Sequence, residues 1–109
     1  MAKTVTAAEM KERERAANEA GLLYIQMMEN AGRAAYAELK RRVPALRRLL
    51  IVAGKGNNGG DGFVMARVAA KEGVQVRVLL AEGEPKTADA KTNLARLAET
   101  AAEVVRNTE

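Results

Sequence analysis

An α/β fold on a short parallel sheet is predicted by three features of this 109-residue chain. Leu49–Ala53 is a wholly apolar run with a glycine-rich loop directly behind it, a helical pattern follows and ends at Gly73, and Val74–Leu80 forms a second apolar run. A strand buried on both faces reads as an unbroken apolar stretch, whereas a half-buried one alternates. The strand–helix–strand order then implies a right-handed crossover and a parallel pair, the opening unit of a doubly wound sheet with helices on both faces.

The elements follow in order. Thr6 and Glu9 make a capping-box pattern, and the charged, alanine-rich segment behind them predicts a first helix that closes at Gly21. Leu22–Lys40 predicts a second helix with Met27, Ala31, Ala34 and Leu39 on one face, stopped by Pro44, with Met27 and Met28 as core filler. After the first strand, helical spacing runs from Asp61 to Glu72 through Val64 and Val68. Gly83, Glu84 and Pro85 form a turn after the second strand. Ala90, Leu94, Leu97, Ala101 and Val104 then line one side of a third long helix, with a short third strand at Ala102–Val105 as the alternative. Two parallel strands alone leave edges unpaired, so cover is expected from the N-terminal helices, a second copy of the chain, or another polypeptide completing the sheet. With no internal repeat or linker, residues 1–109 read as one domain.

Composition removes several kinds of chemistry. The chain has no cysteine and no histidine, which excludes disulfides, thiolate zinc sites, Cys or Ser–His nucleophiles and imidazole acid–base catalysis. Catalysis is left to carboxylates, amides, lysine and backbone groups. The net charge of +4 is densest at Lys40, Arg41, Arg42, Arg47 and Arg48, flanking Pro44 at a helix end where cations complement the helix dipole. That cluster reads as a solvated surface. Only Tyr24, Tyr36 and Phe63 are available to stack on bases, so nucleic acid is not an expected partner. No stretch approaches the roughly 18 consecutive apolar residues of a membrane span, and the expected location is the cytoplasm.

Gly54-Lys55-Gly56-Asn57-Asn58-Gly59 satisfies G-x-G-x-x-G between a predicted strand and helix, the context that gives this pattern physical meaning. Such glycines permit a tight turn and close backbone approach, and amides at the helix start can donate to an anion. The acid that would meet a ribose about 20 residues on is not cleanly placed, Glu72 falling early and Glu82 late. A phosphate-binding loop of the ATPase type is excluded, because Gly60 and Asp61 stand where Lys and Ser or Thr are required. The bland reading is a glycine-rich turn with Asp61 capping the next helix. Five glycines, two amides and a carboxylate within nine residues exceed what such a turn needs, and amide oxygens with a carboxylate suit an alkali cation.

Here the sequence resembles a known family. Gly54-Lys55-Gly56-Asn57-Asn58-Gly59-Gly60-Asp61-Gly62-Phe63-Val64 resembles the G-x-G-N-N-G-G-D-G-[FL]-V signature of NAD(P)H-hydrate epimerases, the YjeF N-terminal domain. Met28-Glu29-Asn30-Ala31-Gly32-Arg33-Ala34 is similar to that family's upstream helix, and Ala88-Asp89-Ala90-Lys91-Thr92-Asn93-Leu94 to its downstream segment. The resemblance implies a Rossmann-like three-layer αβα fragment, with a short parallel sheet and two N-terminal helices, corresponding to the first half of the family domain. It also implies an isomerase of nicotinamide nucleotide repair that interconverts the S and R epimers of hydrated NADH or NADPH in support of a partner dehydratase. By the same resemblance Asn57, Asn58, Gly59, Gly60, Asp61 and Asn30 contact the substrate, Gly32 borders the pocket, Asp61 is the catalytic group, and Asn58 helps bind potassium. A ligand role and a helix-cap or hydrogen-bonding role stand level for Glu29 and Asn30. Later family segments, a V-D-A with its aspartate, a phosphate-contacting loop and a D-I-P-S-G stretch, do not occur, leaving Asp61, Lys55 and Glu29 as nearby ionisable candidates. The alternative is a non-catalytic nucleotide-binding or scaffolding module of the same fold.

Overall fold

The computed structural model describes residues 7–106; at 7–15, 17, 18, 20–22, 57 and 58 it describes the backbone alone. Six elements follow one another: α1 (Ala7–Arg42), β1 (Arg48–Ala53), α2 (Asn57–Lys71), β2 (Gln75–Leu80), α3 (Ala88–Leu97) and β3 (Glu103–Arg106). The sheet order is β1-β2-β3 with both pairs parallel, Ile51 opposite Val78 and Val78 opposite Val104. The α/β class and the parallel β1–α2–β2 unit are therefore as the sequence predicts.

Three boundaries differ from expectation, each for a local reason. A single helix replaces the two expected at the N-terminus, running through Gly21 to Arg42. A glycine inside a helix costs about 1 kcal/mol and does not end it unless the chain turns into positive φ. The proposed Thr6 cap lies outside the described residues. The third helix stops at Leu97 and the chain re-enters the sheet as β3, so the alternative strand at Ala102–Val105 is the one observed. Thr100 makes that exit: its hydroxyl donates to the Leu97 carbonyl (2.7 Å) and accepts from the Ala102 amide (3.2 Å), after which β-branched Val104 and Val105 join β2. The helix behind the glycine loop begins at Asn57, four residues before Asp61, and ends as expected before Gly73, whose φ is +89°.

The core lies between the sheet and the pair α2 and α3. Val76, Val78 and Leu80 of β2 and Ala53 of β1 meet Phe63, Ala66 and Ala69 of α2 and Ala90 and Leu97 of α3. Both helices thus cover one face. On the other, Leu50 and Val52 are 61% and 62% exposed, and no helix covers them among the described residues. Among the described residues, α2 and α3 lie on one face of the sheet and α1 packs on them.

On α1 the packed face is turned by one residue from the predicted one. Met28, Gly32 and Tyr36 are buried, while Met27 is 54% exposed and Ala31 and Ala34 face solvent. Met27 is not core filler; Met28 is. The cause is Gly32, where a Cβ would stand 2.5 Å from Val64 Cγ1 and 2.8 Å from the Asp61 carbonyl oxygen. α1 and α2 cross with backbone nearly touching backbone, a closer approach than the alanine face allows. Tyr36 closes the crossing with its ring buried and its hydroxyl donating to Glu72 (3.3 Å); burial, and then the charge and hydrogen bond of Glu72, push its phenol pKa up.

Gly32→Ala is expected to lower the unfolding free energy by about 2–3 kcal/mol through overpacking. Ala31→Ser, on the neighbouring exposed position, should change it by less than about 0.5 kcal/mol. Guanidinium titrations of both variants check this, and an unmoved midpoint for Gly32→Ala would show that the helices do not cross there.

Candidate functional site

The glycine loop leaves β1 at Ala53 and enters α2 at Asn57, at the carboxyl end of the sheet, where ligands of open α/β folds bind. Gly56 is the N-cap, and no side chain caps the helix start. The signature therefore occupies the first turns of the helix itself, which gives several of its glycines a packing role. A Cβ on Gly60 would stand 2.5 Å from Met28 Sδ and 3.2 Å from Ala90 Cα, and one on Gly59 would fall on the Gly54 carbonyl. Gly59 and Gly60 are accordingly buried between α1, α3 and the end of β1.

Some donors of the loop are already committed. The Lys55 amide donates to Glu82 Oε1 (3.1 Å), and the Gly59 amide to the Gly56 carbonyl (3.1 Å). The Lys55 carbonyl accepts from the Lys86 amide (2.8 Å), so the β2–α3 connection holds the first bend of the loop on both of its peptide groups. Glu82, late for a ribose acid by sequence count, is thereby brought to the loop.

Asp61 is half-buried on the second turn of α2, and among the described residues its carboxylate has no hydrogen bond or ion pair. Burial alone pushes its pKa up. It sits inside the helix, so the capping role of the bland reading is not the one it fills. Glu29 is otherwise engaged. It pairs with Arg33 one turn along α1 (2.5 Å) and with Arg67 of α2, whose side chain is only 10% exposed. Burial works to raise the Glu29 pKa, but the hydrogen bonds and charges of Arg67 and Arg33 prevail and hold it below the usual glutamate value. Glu29 is a structural partner of Arg67 here. Asn30 is exposed and accepts from Gln26 along the same helix (2.9 Å), and Lys55 is exposed. The side chains of Asn57 and Asn58 lie outside the described residues.

Two polar groups that sequence reasoning left without a role are built into this corner. Asn93 is 1% exposed; its amide nitrogen donates to the Asp89 carbonyl (3.1 Å) and to Met28 Sδ (3.0 Å), while Oδ1 is buried without a partner. Met28 thus joins α1, Gly60 of α2 and Asn93 of α3. Arg67 is the other, three residues beyond Val64 on the packed face, and its Nε is likewise buried and unpaired. A buried cation and a buried amide at helical spacing were the readable signals.

A cation at Asn58 would need several oxygen ligands, as hard ions do. Among the described residues no group of three acidic side chains could hold a metal ion, and the Asn58 side chain lies outside them. Three grooves, of about 550, 450 and 390 Å³, lie elsewhere: at the foot of the sheet around Leu50, Arg77 and Glu103, between α1 and α2 around Tyr36 and Arg41, and beside α3 around Pro85 and Leu94. None of the three is lined by residues 54–62. The basic end of α1 pairs internally, Glu38 accepting from Arg41 (2.7 Å) and Arg42 (2.8 Å).

The family model described as YjeF-related protein N-terminus matches residues 24–109. The chain is 47% identical over 95 residues to a bifunctional NAD(P)H-hydrate repair enzyme of Moorella thermoacetica, covering 83% of this chain and 18% of that protein. It is 57% identical over 60 residues to an NAD(P)H-hydrate epimerase of Pirellula staleyi (55% and 26% covered) and 36% identical over 102 residues to one of Rhodobacter capsulatus (85% and 48%). The crystal structure of the yeast protein ynu0 superposes with a TM-score of 0.67 at 28% identity, over 74% of this chain and 37% of that one. The chain spans less than half the length of each of these proteins.

The ion pair sets a pH dependence. A carboxyl whose folded pKa is depressed contributes stability that is present above its unfolded value and lost as pH falls through the folded one. The stability gap between wild type and Glu29→Gln should therefore be full at pH 7, about 3 kcal/mol for breaking a largely buried pair. It should narrow below about pH 4.5. Thermal midpoints across pH 2–7, roughly the span in which glutamates titrate, measure it; a pH-independent gap would remove the ionic role.

Proposed function

The chain belongs to the YjeF-related N-terminal family, and from that membership we propose that it acts in the epimerisation of hydrated NADH and NADPH, interconverting their S and R forms. The relatives' names support the reaction, and one observation supports the residue: Asp61 is the unpaired carboxylate of the loop, half-buried, with its pKa raised. Inversion at the hydrated carbon changes neither composition nor oxidation state, so a group that takes and returns a proton is the chemistry required. A carboxyl whose pKa is moved toward neutrality is better matched to that task.

In this reading Asn57, Asn58 and the backbone of Gly59 and Gly60 hold the nicotinamide nucleotide at the start of α2, where helix-end amides favour an anionic group. Asn30 reaches it from α1. Asn58 is the residue to which potassium would bind, drawing its remaining oxygens from groups other than those described, and no step is routed through that ion. The chain acts as one domain in the cytoplasm; among the described residues no helix is long and apolar enough to cross a membrane. A second copy, or another chain completing the sheet, would cover Leu50 and Val52.

A second reading is favoured by one observation, the engagement of Glu29 with Arg67 and Arg33, which leaves the site thin in acid–base groups. It is a module that binds the nucleotide without turning it over. Incubation with mixed epimers of hydrated NADH or NADPH, followed by chromatography of their ratio, separates the two. Accelerated equilibration that drops about 10²- to 10⁴-fold in Asp61→Asn, the usual range for losing a proton-transfer group, establishes the enzyme. Ligand binding without acceleration establishes the module.

Asp61→Asn carries a stability signature as well. An acid whose folded pKa is raised contributes stability below its unfolded value and loses it as pH rises through the folded one. At pH 7 the variant should melt no lower than wild type while losing activity, and a marked fall in its midpoint would assign Asp61 to the fold instead.

A further inference from the structure

The first glycine of the signature is commonly explained by a tight turn. Gly54 does not have that reason here, since the positive-φ glycines are Gly73 and Gly83 and Gly54 is not among them. Its carbonyl abuts Gly59 of α2, but the space a side chain at Gly54 would take faces no helix. A Cβ at Gly54 would meet a single group within contact distance, the Glu82 carboxylate, with Oε1 at 2.6 Å and Cδ at 3.7 Å. The same Oε1 accepts the Lys55 amide (3.1 Å). The carboxylate thus occupies the hollow left by the missing side chain of Gly54, and from there it takes the Lys55 amide.

We infer that Glu82 is a positioning residue for the nucleotide loop, and that Gly54 is glycine to seat it. The parallel ladder of β1 and β2 ends with the Ala81 amide on the Ala53 carbonyl (3.1 Å). Glu82 extends that registration by one peptide through its side chain, and the Lys86 amide, on the Lys55 carbonyl, extends it by the next. With both of its polar groups fixed, Lys55 cannot rotate its peptide planes, and the direction in which Gly56 leads into the uncapped start of α2 is set. The aim of the first α2 amides, which an anion would meet, follows from that direction. The interaction runs between two connections of the sheet, both solvent-exposed, so it contributes little to global stability and much to local order.

This role rests on the loop being the nucleotide site, and the test separates the two claims. Three variants are compared: Glu82→Ala removes the acceptor, Glu82→Gln keeps a neutral one, and Gly54→Ala keeps Glu82 but fills its seat. A flexible carboxylate end can swing away from a new methyl and Gly54 has an ordinary φ, so all three should fold with melting points near wild type. Amide hydrogen exchange at Lys55 should quicken at least 10-fold in Glu82→Ala and in Gly54→Ala, and less than 3-fold in Glu82→Gln. The double variant Gly54→Ala/Glu82→Ala should exchange no faster than either single one, since both remove the same contact. On hydrated NADH as probe, KM should rise about 10-fold in the two alanine variants with kcat within 3-fold, and Glu82→Gln should restore KM.

Lys55 exchange unchanged in Glu82→Ala, or additive effects in the double variant, overturns the positioning role whatever the activity. Altered exchange together with unchanged KM overturns it as well, because the loop would then move without consequence for the ligand. If the wild-type protein neither binds nor epimerises hydrated NADH, the reading of the site fails, and the exchange data still decide whether Glu82 orders the loop.

Discussion

The close passage of α1 and α3 over the first turns of α2 is the constraint on which the rest of this structure depends. Gly32 brings α1 onto Val64 and the Asp61 carbonyl, Gly60 brings α2 onto Met28 and Ala90, and Gly59 lets the helix start against the carbonyl of Gly54. Protein interiors are packed at crystal density, so a contact made through hydrogen atoms alone fixes distance within a few tenths of an ångström. Because that fixed point lies within the glycine signature, the position of Asp61 relative to α1 is set by helix packing. The glycines of the motif consequently divide into those that admit a neighbouring helix and those that shape the bend.

Polar groups at the same junction reinforce its geometry and narrow its chemistry. Arg67, buried on α2, is held by Glu29 of α1, which is itself shared with Arg33. Replacing such a pair by apolar residues is often neutral in stability, so its effect is better understood as fixing the rotation of α1 about its own axis: a one-residue turn would leave two charges buried and unpaired. Asn93 does the same for α3 through Met28 and the Asp89 carbonyl. Glu29 has its carboxylate engaged by Arg67 and Arg33, whereas Asp61 has no hydrogen bond or ion pair among the described residues.

What the sequence made legible, and what it hid, follows from whether a signal was local. The apolar run of β1, the stop at Gly73 and the β1–α2–β2 order depend on neighbours in the chain and were readable. The start of α2 was not, because its first four residues, Asn57-Asn58-Gly59-Gly60, are poor helix formers that tertiary contact with Met28 and Ala90 holds in place. The face of α1 was misjudged for the same reason: counting apolar side chains favours Met27, Ala31 and Ala34, whereas the observed contact is through a residue with no side chain. Gly21 looked like a stop because punctuation is read from residue type, yet nothing turns the backbone there. β3 was ambiguous since Ala101 and Val104 fit a helix period as well as a strand, and only pairing of Val104 with Val78 decides it. Of the site, the loop and Asp61 were visible in the motif; the engagement of Glu29 and the seat of Glu82 arise between residues 27 or more apart and have no local signature.

The bare face of the sheet bears on the site through geometry. Parallel sheets are ordinarily covered on both faces, and the crevice at their carboxyl ends is walled by what lies on each side. Here α2 and α3 form one wall, and opposite them Leu50 and Val52 are open to solvent. The three grooves described above lie away from the loop. Enclosure matters to the chemistry proposed, because excluding water strengthens each electrostatic contact a ligand makes. If a cover docked on the second face and supplied contacts to a bound ligand, mass action would make ligand and cover favour each other.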